Sequence, residues 1–189
     1  GPGPGGVSAG GAGSGGAAAG DAAAAAADWA VSWTGSAMSP SPLVARVRRV
    51  RDRTVRNVVQ LSAGGAELRI RVSNAFGDRP LTVGAVTVAR QLRGAALDPA
   101  TLRPVTFGGR PAVTLAAGAA AVSDPVRLAV PALSTLAVSL YLPGATGPLT
   151  YHQAAMQYTY LARGDRAADP DAGAFTARVG HWFLVDAVQ

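Results

Sequence analysis

The chain has 189 residues, 49% hydrophobic and 15% charged, with 24 Gly, 13 Pro and no Cys. That length suffices for one domain with its own core, and the missing cysteine excludes disulfides, thiolate metal sites and a Cys nucleophile. The net charge is +6 and every basic residue is Arg, as a GC-rich coding bias produces; no apolar run reaches the roughly 18 residues of a membrane span.

Residues 1–27 are low-complexity Gly/Ala/Ser/Pro, a composition that cannot bury enough surface to offset backbone entropy and reads as a flexible leader. The folded part is expected over 28–189. It opens with Trp29, Val31 and Trp33, which share one strand face and read as core or interdomain packing, with an exposed sugar-stacking pair as the alternative. Arg46, Arg48, Arg49, Arg51, Arg53 and Arg56 form the densest basic cluster. No aromatic residue is interleaved there, so the stacking platform that binds single-stranded nucleic acid is missing and no nucleic-acid partner is expected.

From Val55 the pattern alternates. Val55, Val59 and Leu61 share one face and Arg56 and Gln60 the other. The Ala63–Ala66 stretch reads as a hairpin turn into Leu68, Ile70 and Val72, with Arg69, Arg71 and Ser73 opposite. A half-buried hairpin with an Arg-rich solvent face is therefore predicted. Asn74 opens the next turn and reads as Asx-type turn chemistry, with Phe76 as a core anchor beneath it. Leu81 to about Leu92 is a strand and Ala95–Arg103 a loop. Val105–Phe107 and Ala112–Leu115 are short strands around Gly108-Gly109. Val122–Val130 is broken at Asp124-Pro125, and Leu136, Val138, Leu140 and Leu142 give the clearest alternation in the chain. Tyr151–Leu161 is a strand or strand pair, Arg163–Gly173 a charged loop, and His181–Val188 a last strand. About nine or ten short strands without a long helix predict an all-β, antiparallel β-sandwich, jelly-roll-like.

Serine hydrolysis needs a nucleophile on a sharp turn, a His base and an orienting acid. There is no G-x-S-x-G and no Gly-Asp-Ser; Gly35-Ser36 is the nearest echo, without the intervening Asp. The residues three before His152 and His181 are Leu149 and Arg178, so neither forms a D-x-x-H pair. Both histidines read as structural, with an interdomain boundary role as the alternative for His152. Asp165, Asp169 and Asp171 share one loop, but the spacing does not match an EF-hand. No catalytic residue, metal or cofactor is expected. Trp29, Trp33, Asn74, His152 and Trp182 remain as candidates for an interdomain or ligand contact.

The phrases RVSNAFG, TFGG, SDPV, VSLYLPG and TYH occur in this order between Arg71 and His152. Their order and spacing resemble the β-rich segment that precedes the catalytic domain in secreted, two-domain SGNH/GDSL-type esterases and lipases, over roughly Trp29–Val185. The resemblance implies a C-terminal SGNH catalytic domain as partner, a secreted or cell-surface location, cofactor-free ester hydrolysis by the parent protein, and the closing HWFLVDAVQ as the connection between domains. None of the family's four catalytic blocks stands in this chain, so this chain by itself is expected to be inactive. A free-standing carbohydrate-binding module is the alternative. It would need an aromatic platform, for which Trp29, Trp33, Tyr141, Tyr151, Tyr158, Tyr160 and Trp182 are the available residues, and polysaccharide would be the partner.

Overall fold

The computed structural model describes residues 28–38, 50–152 and 156–189. The leader over 1–27 and Arg46, Arg48 and Arg49 of the basic cluster lie outside the described residues. The described chain is an antiparallel β-sandwich of seventeen short strands, with one 3-10 turn over Pro99–Thr101 as its helical element. The strands are β1 (Trp33–Thr34), β2 (Arg53–Gln60), β3 (Gly65–Leu68), β4 (Ile70–Ser73), β5 (Leu81–Val83) and β6 (Ala85–Arg93). There follow β7 (Ala96–Leu97), β8 (Arg103–Val105), β9 (Val113–Leu115), β10 (Ala120–Val122), β11 (Val126–Val130) and β12 (Thr135–Leu142). The last are β13 (Tyr151–His152), β14 (Thr159–Arg163), β15 (Phe175–Val179), β16 (Trp182–Phe183) and β17 (Val185–Val188).

The larger sheet runs β15-β14-β2-β12-β6, with β7 and β8 both pairing β6. The smaller runs β1-β17-β4-β10, and β3-β11, β5-β9 and β13-β16 are separate pairs. The core lies between the sheets. Val55 and Val59 of β2, Val86 and Val88 of β6, and Leu136, Val138, Leu140 and Leu142 of β12 meet Ile70 and Val72 of β4 and Val185 and Val188 of β17. Alternation puts these residues of β2, β4, β6 and β12 on the inner face, a register shift in β17 lets Val185 and Val188 both join them, and burying a side chain of this size is worth about 1.5–3 kcal/mol.

The predicted β2 hairpin does not form. β2 pairs β12 and β14, β3 pairs β11, and β4 pairs β17 and β10. The Ala63–Ala66 stretch instead carries the chain out of the larger sheet into the separate β3-β11 pair. Gly64 is needed there by proximity, since a Cβ would stand 2.6 Å from the Val130 carbonyl oxygen. Of the predicted solvent face, Gln60 and Arg71 are exposed and Arg69 is half-buried, but Arg56 is corrected, being 0% exposed. A second layer covers the outer face of the larger sheet, formed by β7 and the loop over 164–174. Under it sit two small clusters, Val58, Ala89, Leu97 and Ala137, and Ala95, Ala162 and Phe175.

Asn57, also fully buried, faces the core between two valines. Its amide does what a strand partner would do. Nδ2 donates to the Phe183 carbonyl at 3.0 Å and Oδ1 accepts from the Phe183 N–H at 2.8 Å. This bond pair ties β16 to β2. Leu184, next in the chain, has φ 65°, a left-handed conformation that costs a non-Gly residue about 1 kcal/mol or more. Two bonds hold it there, Leu184 N–H to the Thr150 carbonyl at 3.0 Å and Ser73 N–H to the Leu184 carbonyl at 2.6 Å.

Candidate functional site

Three of the five candidate residues meet at one end of the sandwich. β13 and β16 pair with His152 opposite Trp182 and Tyr151 opposite Phe183. Trp33 of β1 packs edge-on against Trp182 at 4.9 Å and 77°, and against the His152 ring at 6.3 Å and 75°. The indole of Trp182 is oriented by its Nε1–H, which donates to the Val58 carbonyl at 2.7 Å. Gly35 lets the chain cross the imidazole. A Cβ there would lie 3.0 Å from Nδ1 of His152 and 3.2 Å from Cη2 of Trp33. Edge-to-face aromatic contacts of this kind add about 0.5–1.5 kcal/mol each beyond area burial.

His152 is 2% exposed, and among the described residues neither ring nitrogen makes a hydrogen bond of ordinary geometry, though the main chain of Ser36 and Val185 lies close to it. Its pKa is held below the ordinary value, first by burial, against the opposing influence of the main chain of Ser36 and Val185 and of the Asp186 carboxylate. Asp186 belongs to the same cluster. A β-bulge between Val185 and Ala187, where β17 shifts register on β4, turns this residue inward, as bulges do. One carboxylate oxygen pairs with the Arg71 guanidinium, and Oδ1 has no partner among the described residues. Burial raises the Asp186 pKa, while Arg71 and then His152 oppose the rise. Asp186 and His152 are thus a buried acid–base pair under an aromatic lid, tied to the surface through the 44% exposed Arg71 side chain. The pair does not assemble a nucleophile and base. No hydroxyl among the described residues bonds to His152, and Ser36 faces it with main chain.

Around this cluster the rim is apolar. Met38 bridges to Tyr151, with its N–H on the Tyr151 carbonyl at 2.9 Å, and remains 43% exposed. Phe76, expected as a core anchor, is 42% exposed. Its N–H is fixed by the Thr150 hydroxyl at 2.9 Å, so the ring is presented to solvent beside β13. Met156 is exposed four positions beyond His152. The imidazole of His181 stands edge-on to the Tyr151 ring at 5.4 Å.

Asn74 and Trp29 lie apart from the cluster. Asn74 is buried and ties its loop together by Nδ2, which donates to the carbonyls of Arg79 at 3.0 Å, Ala116 at 3.1 Å and Leu115 at 3.2 Å. Gly77 is required by that amide, because a Cβ would lie 1.9 Å from Asn74 Oδ1. Trp29 lies on the β3/β17 side, its ring over the Arg69 guanidinium at 4.0 Å. The seven aromatics of the platform are scattered over both sheets, the β13-β16 pair and the segments outside the strands. Tyr141 is turned to Asp52 through its hydroxyl at 2.7 Å, and Tyr158 lies under Arg178 at 4.2 Å.

The basic cluster splits in the same way. Arg51 is exposed and Arg53 half-buried, while Arg56 is buried with four bonds. Nε donates to Ser139 Oγ at 2.8 Å, Nη1 to the Ala95 carbonyl at 2.6 Å, and Nη2 to the carbonyls of Asp169 at 2.6 Å and Arg166 at 3.1 Å. Its cationic carbon lies 3.9 Å from the Phe175 ring centre. Burial lowers its pKa to about 10, opposed by Asp169. In the 164–174 loop, Asp165 Oδ1 accepts from Ala167 N–H at 3.1 Å and Asp169 Oδ1 from Asp171 N–H at 3.0 Å. Those carboxylates are engaged by their own backbone, and no group of three His, Asp or Glu suited to a metal occurs among the described residues.

Two signals in the sequence pointed to what was missed. Asp186 sits inside the apolar run FLVDAV and Asn57 inside VRNVV. A polar residue in such a run must find a buried partner, since leaving it unpaired costs several kcal/mol. The identity of that partner was invisible, because Asp186 and Arg71 are 115 residues apart.

Four of the five phrases that carry the family resemblance meet in pairs. In SDPV, Asp124 accepts from Thr106 Oγ1 at 2.7 Å, Gly109 N–H at 2.7 Å and Gly108 N–H at 3.0 Å, all of TFGG. Gly108 and Gly109 have φ of 57° and 75°, which points successive N–H groups at one anion, a nest. These bonds hold the Asp124 pKa below the usual carboxylate range. SNAFG meets TYH through the Phe76–Thr150 bond. A scan against models of protein families finds no match, and no curated protein matches the chain. No helix among the described residues is long and apolar enough to cross a membrane.

Proposed function

We propose that this chain is the accessory N-terminal β-sandwich of a secreted or cell-surface SGNH/GDSL-type carboxylic ester hydrolase, and that it contributes a packing surface and no chemistry of its own. The observation that carries this reading is Phe76. The SNAFG and TYH phrases meet through the Phe76–Thr150 bond with the Phe76 ring 42% exposed, and Thr150 directly precedes Tyr151, which Met38 bridges and His181 packs against. A fixed aromatic with an apolar rim is the form of a protein-contact hot spot. The His152 cluster beneath it would act as a rigid base for that contact. HWFLVDAVQ, which the resemblance implies as a connection, is built into the sandwich as β16 and β17, so any connection would begin beyond it.

The test is the coding sequence downstream of Gln189 together with ester hydrolysis. A Gly-Asp-Ser block followed later by D-x-x-H is expected there. The longer protein should hydrolyse p-nitrophenyl butyrate, and the 189-residue chain should not exceed buffer. In the longer protein Phe76→Ala should loosen the domain contact by about 2 kcal/mol, read as an earlier separate melting step. Burst hydrolysis by the short chain, blocked by a serine-directed inhibitor, or a downstream sequence without the blocks, would overturn the proposal.

A further inference from the structure

A groove of about 270 Å³ opens beside β3 and the end of β17, lined by Asp28, Trp29, Gly64, Gly65, Glu67 and Gln189 among others. The indole is pre-set. One face lies on the Arg69 guanidinium at 4.0 Å. Arg69 is itself fastened to Gln189 three times, by Nη2 to Oε1 at 2.9 Å and by both main-chain bonds, at 2.9 and 3.0 Å. Ordering an aromatic beforehand removes a cost that a ligand would otherwise bear.

The polar lining defines what fits. Asp28 and Glu67 are acceptors and carry negative charge, which disfavours anionic ligands. Glu67 has a single loose ion pair, to an Arg127 side chain 93% exposed at 3.4 Å, and such a surface pair is worth about 0–1 kcal/mol. Its oxygens remain able to accept from hydroxyl groups. The volume falls below the roughly 300–1,000 Å³ of sites for drug-sized ligands, so it suits one six-membered ring. A pyranose offers both halves of the match, a C–H face that is electropositive toward the negative π-face of an indole and a ring of hydroxyl donors.

We propose that this groove is a subsite for one pyranose ring of a neutral polysaccharide, with Trp29 as the stacking surface and Glu67 and Asp28 as hydroxyl acceptors. The site stands on its own geometry and does not rest on the ester-hydrolase reading. It also differs from a flat aromatic platform, because a single tryptophan carries it.

The experiment is a titration of the full chain with cellohexaose, xylohexaose and chitohexaose, with hexagalacturonate as the anionic control, following the three indole N–H resonances by NMR. One resonance, assigned to Trp29 by its absence in Trp29→Ala, should move saturably with at least one neutral hexasaccharide, while those of Trp33 and Trp182 stay. Glu67→Gln, on an exposed side chain that leaves the fold intact, should weaken binding at least ~5-fold and so keeps the test valid if Trp29→Ala misfolds. No movement up to about 10 mM saccharide, stronger binding of the uronate, or movement of Trp182 instead would overturn the proposal.

Discussion

At the scale of single residues the unusual feature is a histidine buried in a closed aromatic site. His152 is favoured neutral because burial disfavours its charged form. A group whose folded pKa is depressed gives its full contribution above the unfolded value and loses it as pH falls. For an imidazole the loss begins near about pH 6.5. Asp186 runs the other way. Its folded pKa is raised, so protonation at lower pH relieves the fold rather than weakening it. The two work against each other, and the His152 share should lower the urea midpoint on acidification from about pH 7 to 5. His152→Phe, which keeps a ring and removes both ring nitrogens, should flatten that fall and cost little at pH 8. Equal pH dependence of the wild type and His152→Phe would show that the imidazole does not carry the effect.

Among the elements, the covered outer face of the larger sheet turns on Arg56. Side chains of the sheet bind carbonyls of the 164–174 loop. Thr54 Oγ1 donates to Gly164 at 2.7 Å and Thr87 Oγ1 to Ala167 at 2.5 Å, beside the Arg56 bonds to Arg166 and Asp169. Removing the guanidinium leaves the buried Ala95 carbonyl and Ser139 hydroxyl, and two part-buried carbonyls of the loop, short of a donor, and each buried unsatisfied group costs about 1–3 kcal/mol. Arg56→Ala should lower stability by about 3 kcal/mol or more and open the loop, seen as rapid tryptic cleavage after Arg163 and Arg166 under native conditions. A loop as resistant as in the wild type would mean that the threonines and Phe175 suffice to hold it.

For the molecule as a whole, the ends of the described chain close the smaller sheet. β1 pairs β17, with Trp33 opposite Val188, and β17 lies between β1 and β4. Deleting 181–189 removes an interior strand, the partner of Asn57 and half of the aromatic cluster at once. The shortened chain should lose its near-ultraviolet circular dichroism and its cooperative thermal transition. A sharp melt in that variant would show that the larger sheet folds without the smaller one. Because the chain passes repeatedly between sheets, most ladders join residues far apart in sequence, as in β2 with β12; such topologies fold slowly.

The sequence alone determined the class of fold, the strands of clean alternation such as β11 and β12, the turns at Asp124 and Asn74, and the lack of a nucleophile–base–acid motif. These are local properties. Period-two burial and turn chemistry are written into neighbouring residues. Which strands pair, and what lies over each sheet face, is not local. The β2 hairpin failed because a Gly-rich stretch between alternating runs allows a turn within a sheet as readily as a crossing between sheets. Arg56 reads as a solvent residue until the loop 113 residues later covers it with carbonyls. The bulge that turns Asp186 inward, the meeting of Trp33, His152 and Trp182, and the groove under Trp29 were decided by packing, since each depends on elements brought together only when the two sheets close.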